Sequence, residues 1–222
     1  MSIAPDEAVR GQFRGYREEP GVAARSTVET FVVLRLHIDN ERWSGVPFYL
    51  RAGKQLAATS TEIMVTLKHP TREIFDASAP EQPNYFRFRI SPDVLISIGA
   101  RVKMPSEAMQ GNTVELVAHR RPGDEMTPYE RLFDDAIQGN ATLFAHYDCI
   151  EAAWRTVTPI LGNSVPLTMY EPQTWGPAQA NRIIGGDDRW HNSDTSPGAG
   201  EGRYGVIPGK PSVIFEPLAD RL

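Results

Sequence analysis

The feature that most constrains this chain is a series of alternating apolar segments set too close together for helical crossovers. Residues 29–38 are rich in β-branched and apolar side chains, with Val32, Leu34, Leu36 and Ile38 on one face and Arg35 and His37 on the other. An Asp39-Asn40 turn leads to residues 46–51, where Pro47 belongs at a strand start or on an edge. Residues 61–68 alternate cleanly, placing Ile63, Val65 and Leu67 opposite Glu62, Met64, Thr66 and Lys68. Residues 84–90, 94–102 and 113–118 continue the pattern. Parallel neighbours need roughly a dozen residues of crossover, which these loops do not provide, so the sheet is predicted to be mainly antiparallel.

The period then changes. Thr127-Pro128-Tyr129-Glu130 is a helix start, with Thr127 as cap, Pro128 in the first turn and Glu130 at the third position. Leu132, Phe133, Ala136 and Ile137 form an apolar stripe ended by Gly139. A second helix is predicted over residues 148–161, with Ile150, Ala153, Trp154 and Val157 inward and Gly162 as its stop. From Ser164 the chain is loop-rich, with a rigid Trp175-Gly176-Pro177 turn and a short helix over 178–184. Residues 192–210 are mostly Gly, Ser, Pro and Asp. The expected fold class is therefore α+β, a large mainly antiparallel sheet with helices packed on one face.

Composition excludes several function classes. Hydrophobic residues make up 41% of the 222, enough for a core and unlike a disordered chain. Net charge is −5 and the cations are scattered, so the footprint of a nucleic-acid binder is missing. No stretch approaches the ~20 apolar residues of a membrane helix, and residues 1–12 hold no signal-peptide core. A cytoplasmic protein with no membrane or nucleic-acid partner is expected. The single cysteine, Cys149, rules out an internal disulfide framework and reads as a small buried hydrophobe.

Chemistry-bearing motifs are few. No glycine-rich turn runs from a strand into a helix, so no cofactor-binding residues are assigned. No two of the five histidines have helical metal-ligand spacing, and no metal site is assigned. His37 and Asp39 share a strand face; a polar surface pair is the plainer reading than an oriented base. His146 and Asp148 stand at a helix start, where capping is expected. Tyr49-Leu50-Arg51-Ala52-Gly53-Lys54 is more suggestive. A strand delivers Arg51 to its end, Gly53 permits a tight turn, and Lys54 projects from the loop as a point charge suited to a phosphate.

A set of ordered motifs resembles glucose-6-phosphate dehydrogenase. These are Gly11-Gln12-Phe13-Arg14-Gly15-Tyr16, Thr27-Val28-Glu29-Thr30-Phe31, the run from Asp39 to Lys54, Thr61-Glu62-Ile63, Tyr129-Glu130-Arg131-Leu132, Glu151-Ala152-Ala153-Trp154-Arg155 and Trp175-Gly176-Pro177. The resemblance covers about residues 10–192. It implies oxidation of glucose 6-phosphate at C1 to 6-phosphogluconolactone, with hydride transfer to NADP (or NAD), in the pentose phosphate pathway. It implies that Lys54, the lysine of the Arg-x-Gly-Lys motif, binds the sugar phosphate. It also implies a homo-oligomer, a dimer, formed through the sheet.

The 222 residues depart from the family's whole pattern. The Rossmann cofactor domain, the Asp-His-Tyr-Leu-Gly-Lys-Glu motif and the histidine base lie upstream of the matched region, so no catalytic residue is assigned. Thr59 stands five positions after Lys54, where many members carry a basic residue. The expected organisation is an extended lead-in over 1–28, the family's C-terminal domain over 29–192, and a flexible tail over 193–222. The chain alone is expected to be inactive and to need as partner the N-terminal Rossmann half or a full-length subunit. The alternative is a non-catalytic regulatory module that pairs with full-length dehydrogenase subunits.

Overall fold

The computed structural model describes residues 3–68, 83–103, 111–119, 126–185, 189–193 and 212–217. Nine strands form one sheet: β1 (Ala8–Phe13), β2 (Phe31–His37), β3 (Pro47–Gly53), β4 (Thr61–Thr66), β5 (Tyr85–Ser91), β6 (Leu95–Lys103), β7 (Gly111–His119), β8 (Leu167–Tyr170) and β9 (Ser212–Pro217). Their order is β7-β6-β5-β4-β9-β3-β2-β1-β8. All neighbours run antiparallel except β1 with β8 and β4 with β9. The mainly antiparallel α+β architecture expected from strand spacing is therefore what forms.

Three of these strands differ from the sequence expectation. β1 lies within the span read as a lead-in, and every one of its residues is buried. Its polar Arg10 and Gln12 interrupt the apolar pattern, yet both find partners inside, although the buried Arg10 Nε is left without one among the described residues. Arg10 pairs with Glu29 at 2.7 Å and donates to the carbonyls of Val165 and Gly162, while the Gln12 amide donates to the carbonyls of Ser26 and Val28. β8 is only four residues long and sits in a stretch read as loop. β9 lies in the span read as a tail, and the Gly/Ser/Pro-rich residues 194–211 of that span fall outside the described residues.

The β1–β3 end of the sheet is covered on both faces. On one face Val9, Phe31, Val33 and Tyr49 pack against Ile183 and Ile184 of helix α3 (Asn181–Ile184) and against Trp190. On the other, Ala8 and Leu34 pack against Ile160 and Val165, with Val157 alongside.

The β4–β7 end reverses the usual arrangement. Glu62 is fully buried, and Arg87, Arg89 and Ser97 are buried with it. The opposite face carries Ile90, Ile96, Ile98, Val114 and Leu116, all exposed. Alternation identifies two faces of a strand but not which one the rest of the chain covers.

Helix α1 (Pro128–Ile137) begins as expected, with the Thr127 hydroxyl accepting from the Glu130 amide and the Glu130 carboxylate accepting from the Thr127 amide. Helix α2 (Tyr147–Val157) runs into a 3-10 turn, Thr158–Ile160. The apolar stripes expected to face a core are largely open instead: Phe133, Ala136 and Ile137 on α1 and Ile150, Ala153 and Trp154 on α2 are exposed, while Leu132 and Val157 are half-buried. Cys149 is likewise exposed, a correction to the buried position expected for it, because the face of α2 that carries it meets no described neighbour. Among the described residues no helix is long and apolar enough to cross a membrane.

Candidate substrate site and its surroundings

Strand β3 delivers its C-terminal residues to a loop whose backbone is tied down at every step. Gly53 lies against Phe31: a Cβ there would stand 2.8 Å from the ring, so only glycine lets the two strands close up. The Lys54 amide donates to the Thr30 carbonyl at 2.8 Å, and the Lys54 carbonyl accepts from the Tyr170 hydroxyl at 2.6 Å. Gln55 then turns through a left-handed conformation, φ 51°. Its carbonyl accepts from the amide of Gln173, which is itself left-handed at φ 60°, and the two side-chain amides meet at 3.1 Å. The Ala57 amide donates to the Thr174 carbonyl at 3.1 Å. The loop after β8 is thus a template for the loop after β3. The Lys54 side chain itself is exposed.

Tyr170 is the centre of this arrangement. Its ring is buried against Phe31 and Phe13, with centroids 5.4 and 6.4 Å away. Burial raises the phenol pKa, so the hydroxyl keeps its proton at any physiological pH and can donate it. That hydroxyl also lies 3.1 Å from the Thr30 Oγ1, which accepts from the Phe13 amide at 3.0 Å. Sequence alone passes over Tyr170, Thr30 and Gln173. The only local signal was the short Leu167-Thr168-Met169-Tyr170 run, because their partners stand 116 to 140 positions away.

Arg51 precedes the loop and points to a different place. It is 2% exposed, stacked between Trp175 and Trp190 at 4.7 and 5.0 Å from their ring centroids. It donates to the His191 carbonyl and the Asn192 side chain, both at 2.8 Å. Arg51, Trp175, Trp190 and Asn192, together with Asn181 and Arg189, line a cleft of about 500 Å³. Lys54 does not line it.

The remaining candidates separate. His37 meets Glu7 at 3.2 Å, and no contact joins it to Asp39 among those described. His146 occupies the N-cap of α2 without a side-chain capping bond. Thr59 is exposed. His69 lies outside the described residues. Among the described residues no three His, Cys, Asp or Glu side chains gather as a metal site. Gly185, at φ 71°, follows α3 rather than opening a helix, so it offers none of the amide-lined cradle a dinucleotide pyrophosphate needs.

Residues 2–191 match the family model described as "Glucose-6-phosphate dehydrogenase, C-terminal domain". The glucose-6-phosphate 1-dehydrogenase of Aggregatibacter actinomycetemcomitans is 43% identical over 177 residues, covering 77% of this chain and 35% of that protein. Glucose-6-phosphate 1-dehydrogenase 1 of Mycobacterium tuberculosis is 37% identical over 194 residues, covering 86% of this chain and 41% of its own length. A cytoplasmic form from Arabidopsis thaliana is 34% identical, covering 83% of this chain and 37% of that protein. The crystal structure of the Mycobacterium avium glucose-6-phosphate 1-dehydrogenase superposes with a TM-score of 0.78 at 39% identity, over 87% of this chain and 42% of that one. A glucose-6-phosphate dehydrogenase in complex with its substrate glucose 6-phosphate gives 0.69 at 28% identity, over 80% of this chain and 40% of the other. The chain spans between a third and just over two-fifths of the length of these relatives.

Proposed function

The chain belongs to the family of the glucose-6-phosphate dehydrogenase C-terminal domain, and from that premise we propose that it supplies the substrate-side and subunit-assembly part of an enzyme that oxidises glucose 6-phosphate to 6-phosphogluconolactone. Lys54 is the residue we assign to the substrate. The observation that carries this is its presentation: an exposed ammonium on a loop whose backbone is fixed on both sides of it by the Thr30 and Tyr170 hydrogen bonds. A phosphate dianion is held by a point charge in a fixed position, and a rigid loop loses little entropy when it binds.

NADP supplies the hydride acceptor in this reaction. The described residues do not fit it, so the reading assigns both the cofactor and the base for the C1 hydroxyl to other parts of the assembled protein. The chain's own task is to bind and orient the sugar phosphate. The exposed apolar face of β5, β6 and β7 is assigned to contact between two copies of the chain, and the open stripes of α1 and α2 to contact with the cofactor-binding part. A cytoplasmic setting belongs to the same reading.

The test is dehydrogenase activity with glucose 6-phosphate and NADP, followed by absorbance of the reduced nicotinamide. The 222 residues alone are expected to give no turnover, and mixing with the cofactor-binding half of a relative is expected to restore it. Lys54→Ala in the restored enzyme is expected to raise KM for glucose 6-phosphate by roughly a hundredfold, as expected for a desolvated charge–phosphate contact. Turnover by the chain alone, or an unchanged KM in Lys54→Ala, would refute the assignment.

A further inference from the structure

We infer that Tyr170 is a positioning residue for Lys54, acting through a directed chain of hydrogen bonds that ends on the Lys54 carbonyl. The inference rests on the assignment of Lys54 to the sugar phosphate and adds what holds that lysine in place.

The direction of the chain follows from counting protons. A phenol has one hydrogen, and two carbonyls stand near it, Thr30 at 3.2 Å and Lys54 at 2.6 Å; the Lys54 carbonyl, the closer, is its principal acceptor. With that hydrogen committed, the contact between Tyr170 and the Thr30 Oγ1 at 3.1 Å requires the threonine to donate. The same Thr30 oxygen accepts from the Phe13 amide at 3.0 Å. The sequence of donors therefore runs from β1 (Phe13) to the start of β2 (Thr30), then to the end of β8 (Tyr170), and finally to the loop after β3 (Lys54). Three separated parts of the chain are thereby linked to the carbonyl of a fourth.

The first two bonds of this path are buried and the last is partly buried, where a hydrogen bond is electrostatically stronger than at the surface and each bond polarises the next. The loop has a second clamp from the same source, the paired left-handed residues Gln55 and Gln173. A lysine that binds by charge alone tolerates movement, but its affinity for one fixed phosphate falls as its backbone is released. The hydroxyl of Tyr170 thus acts on substrate affinity without touching substrate.

The experiment is steady-state kinetics of the assembled dehydrogenase carrying Tyr170→Phe, Lys54→Ala and both together. Tyr170→Phe removes one hydroxyl and keeps the buried ring. It is expected to raise KM for glucose 6-phosphate about three- to tenfold with kcat within about twofold, the size of one lost hydrogen bond. In the Lys54→Ala background the same change is expected to have little further effect. Equal effects of Tyr170→Phe with and without Lys54, or no effect on KM at all, overturn the inference while leaving Lys54 as the substrate residue. If Lys54→Ala itself leaves KM unchanged, the assignment of Lys54 fails and this inference fails with it. Amide exchange in the 222-residue chain gives an independent reading: Tyr170→Phe is expected to speed exchange at the bonded amides of Lys54 and Ala57, and unchanged protection there also overturns it.

Discussion

The side chains of Glu62 and His191, 129 positions apart, meet at 2.9 Å on the buried face of the sheet. Arg89 holds the other carboxylate oxygen at 2.6 Å, and Asp93 stands 3.5 Å from Arg89. Two residues further along, Ser193 bonds Ser60 at 2.7 Å, so residues 191–193 are stitched across β4. Burial alone would raise the Glu62 pKa, but the hydrogen bonds and charges of His191 and Arg89 outweigh it and pull the value down to about 2.

A pH dependence of stability follows, with its sign fixed by that direction. Glu62 titrates lower in the folded chain than its ordinary value of 4.5, so its stabilisation is present above 4.5 and lost as the pH falls toward about 2. The loss is expected to be roughly 2 kcal/mol, reduced from the ideal value because His191 is partly open to solvent and screened. Urea unfolding at pH 6 and pH 3 measures it. Glu62→Gln is expected to lower stability at pH 6 and to flatten the change between the two; a variant with the same pH slope as the parent would remove Glu62 from this role.

Arg51 gives a second prediction. Its guanidinium is planar and lies between two indole rings while one of its nitrogens, Nη2, donates to both the His191 carbonyl and the Asn192 side chain. Lysine keeps the charge but has no planar group to stack between the rings. Arg51→Lys is expected to cost about 2 kcal/mol, measured as a fall in Tm together with a red shift of tryptophan emission. Arg14→Lys is the control, because the Arg14–Glu171 pair is mostly exposed on both sides and is expected to shift stability by less than ~0.5 kcal/mol.

The same residues show what a sequence discloses. Strands β2 to β7 and the capping box of α1 are legible because their signals are local: two-residue alternation, and a Thr-Pro-x-Glu start. β1 is hidden because Arg10 and Gln12 look like surface residues until their partners, 14 to 155 positions away, are known. Lys54 was legible as a candidate because Gly53 precedes it at a strand end, whereas Tyr170, which braces it, carries no local mark. The inverted face at Glu62, Arg87 and Arg89 could not be read either. Period alone assigns residues to sides, and it is the folded chain that decides which side is covered.

Gly176 provides a third test. It sits at φ 95° in the Trp175-Gly176-Pro177 turn, and a Cβ there would lie 2.3 Å from the Phe31 ring. Backbone strain and a clash with a core aromatic act together, so Gly176→Ala is expected to cost more than ~2 kcal/mol in chemical denaturation. Gly162→Ala separates the two causes. Gly162 has φ 69° with nothing within 4 Å of a Cβ, and it is expected to cost only the conformational ~1 kcal/mol. Equal losses in the two variants would show that the contact with Phe31 contributes nothing.

The exposed face of β5, β6 and β7 yields the last prediction. Leu116 stands opposite Ile98, which stands opposite Phe86, so three strands present one apolar row. Leu116 is 67% exposed and Ile90 is 55% exposed, while Arg87 and Arg89 of β5 are buried on the opposite face. An isolated chain gains nothing from this arrangement, since it leaves aliphatic surface in water and takes Arg87 and Arg89 out of it. A flat apolar sheet against a second identical sheet removes the cost for both copies at once, and a two-fold pairing brings each row onto its own equivalent. Sedimentation of the 222-residue chain at micromolar concentration is therefore expected to show a dimer. Leu116→Lys sets two like charges into the centre of that contact and is expected to weaken association at least tenfold, about 1.4 kcal/mol or more. Tyr129→Lys, on α1 and likewise exposed, is expected to leave the dimer intact. A monomeric parent, or a Leu116→Lys variant that still dimerises like the parent, would mean that the face is covered by something other than a second copy.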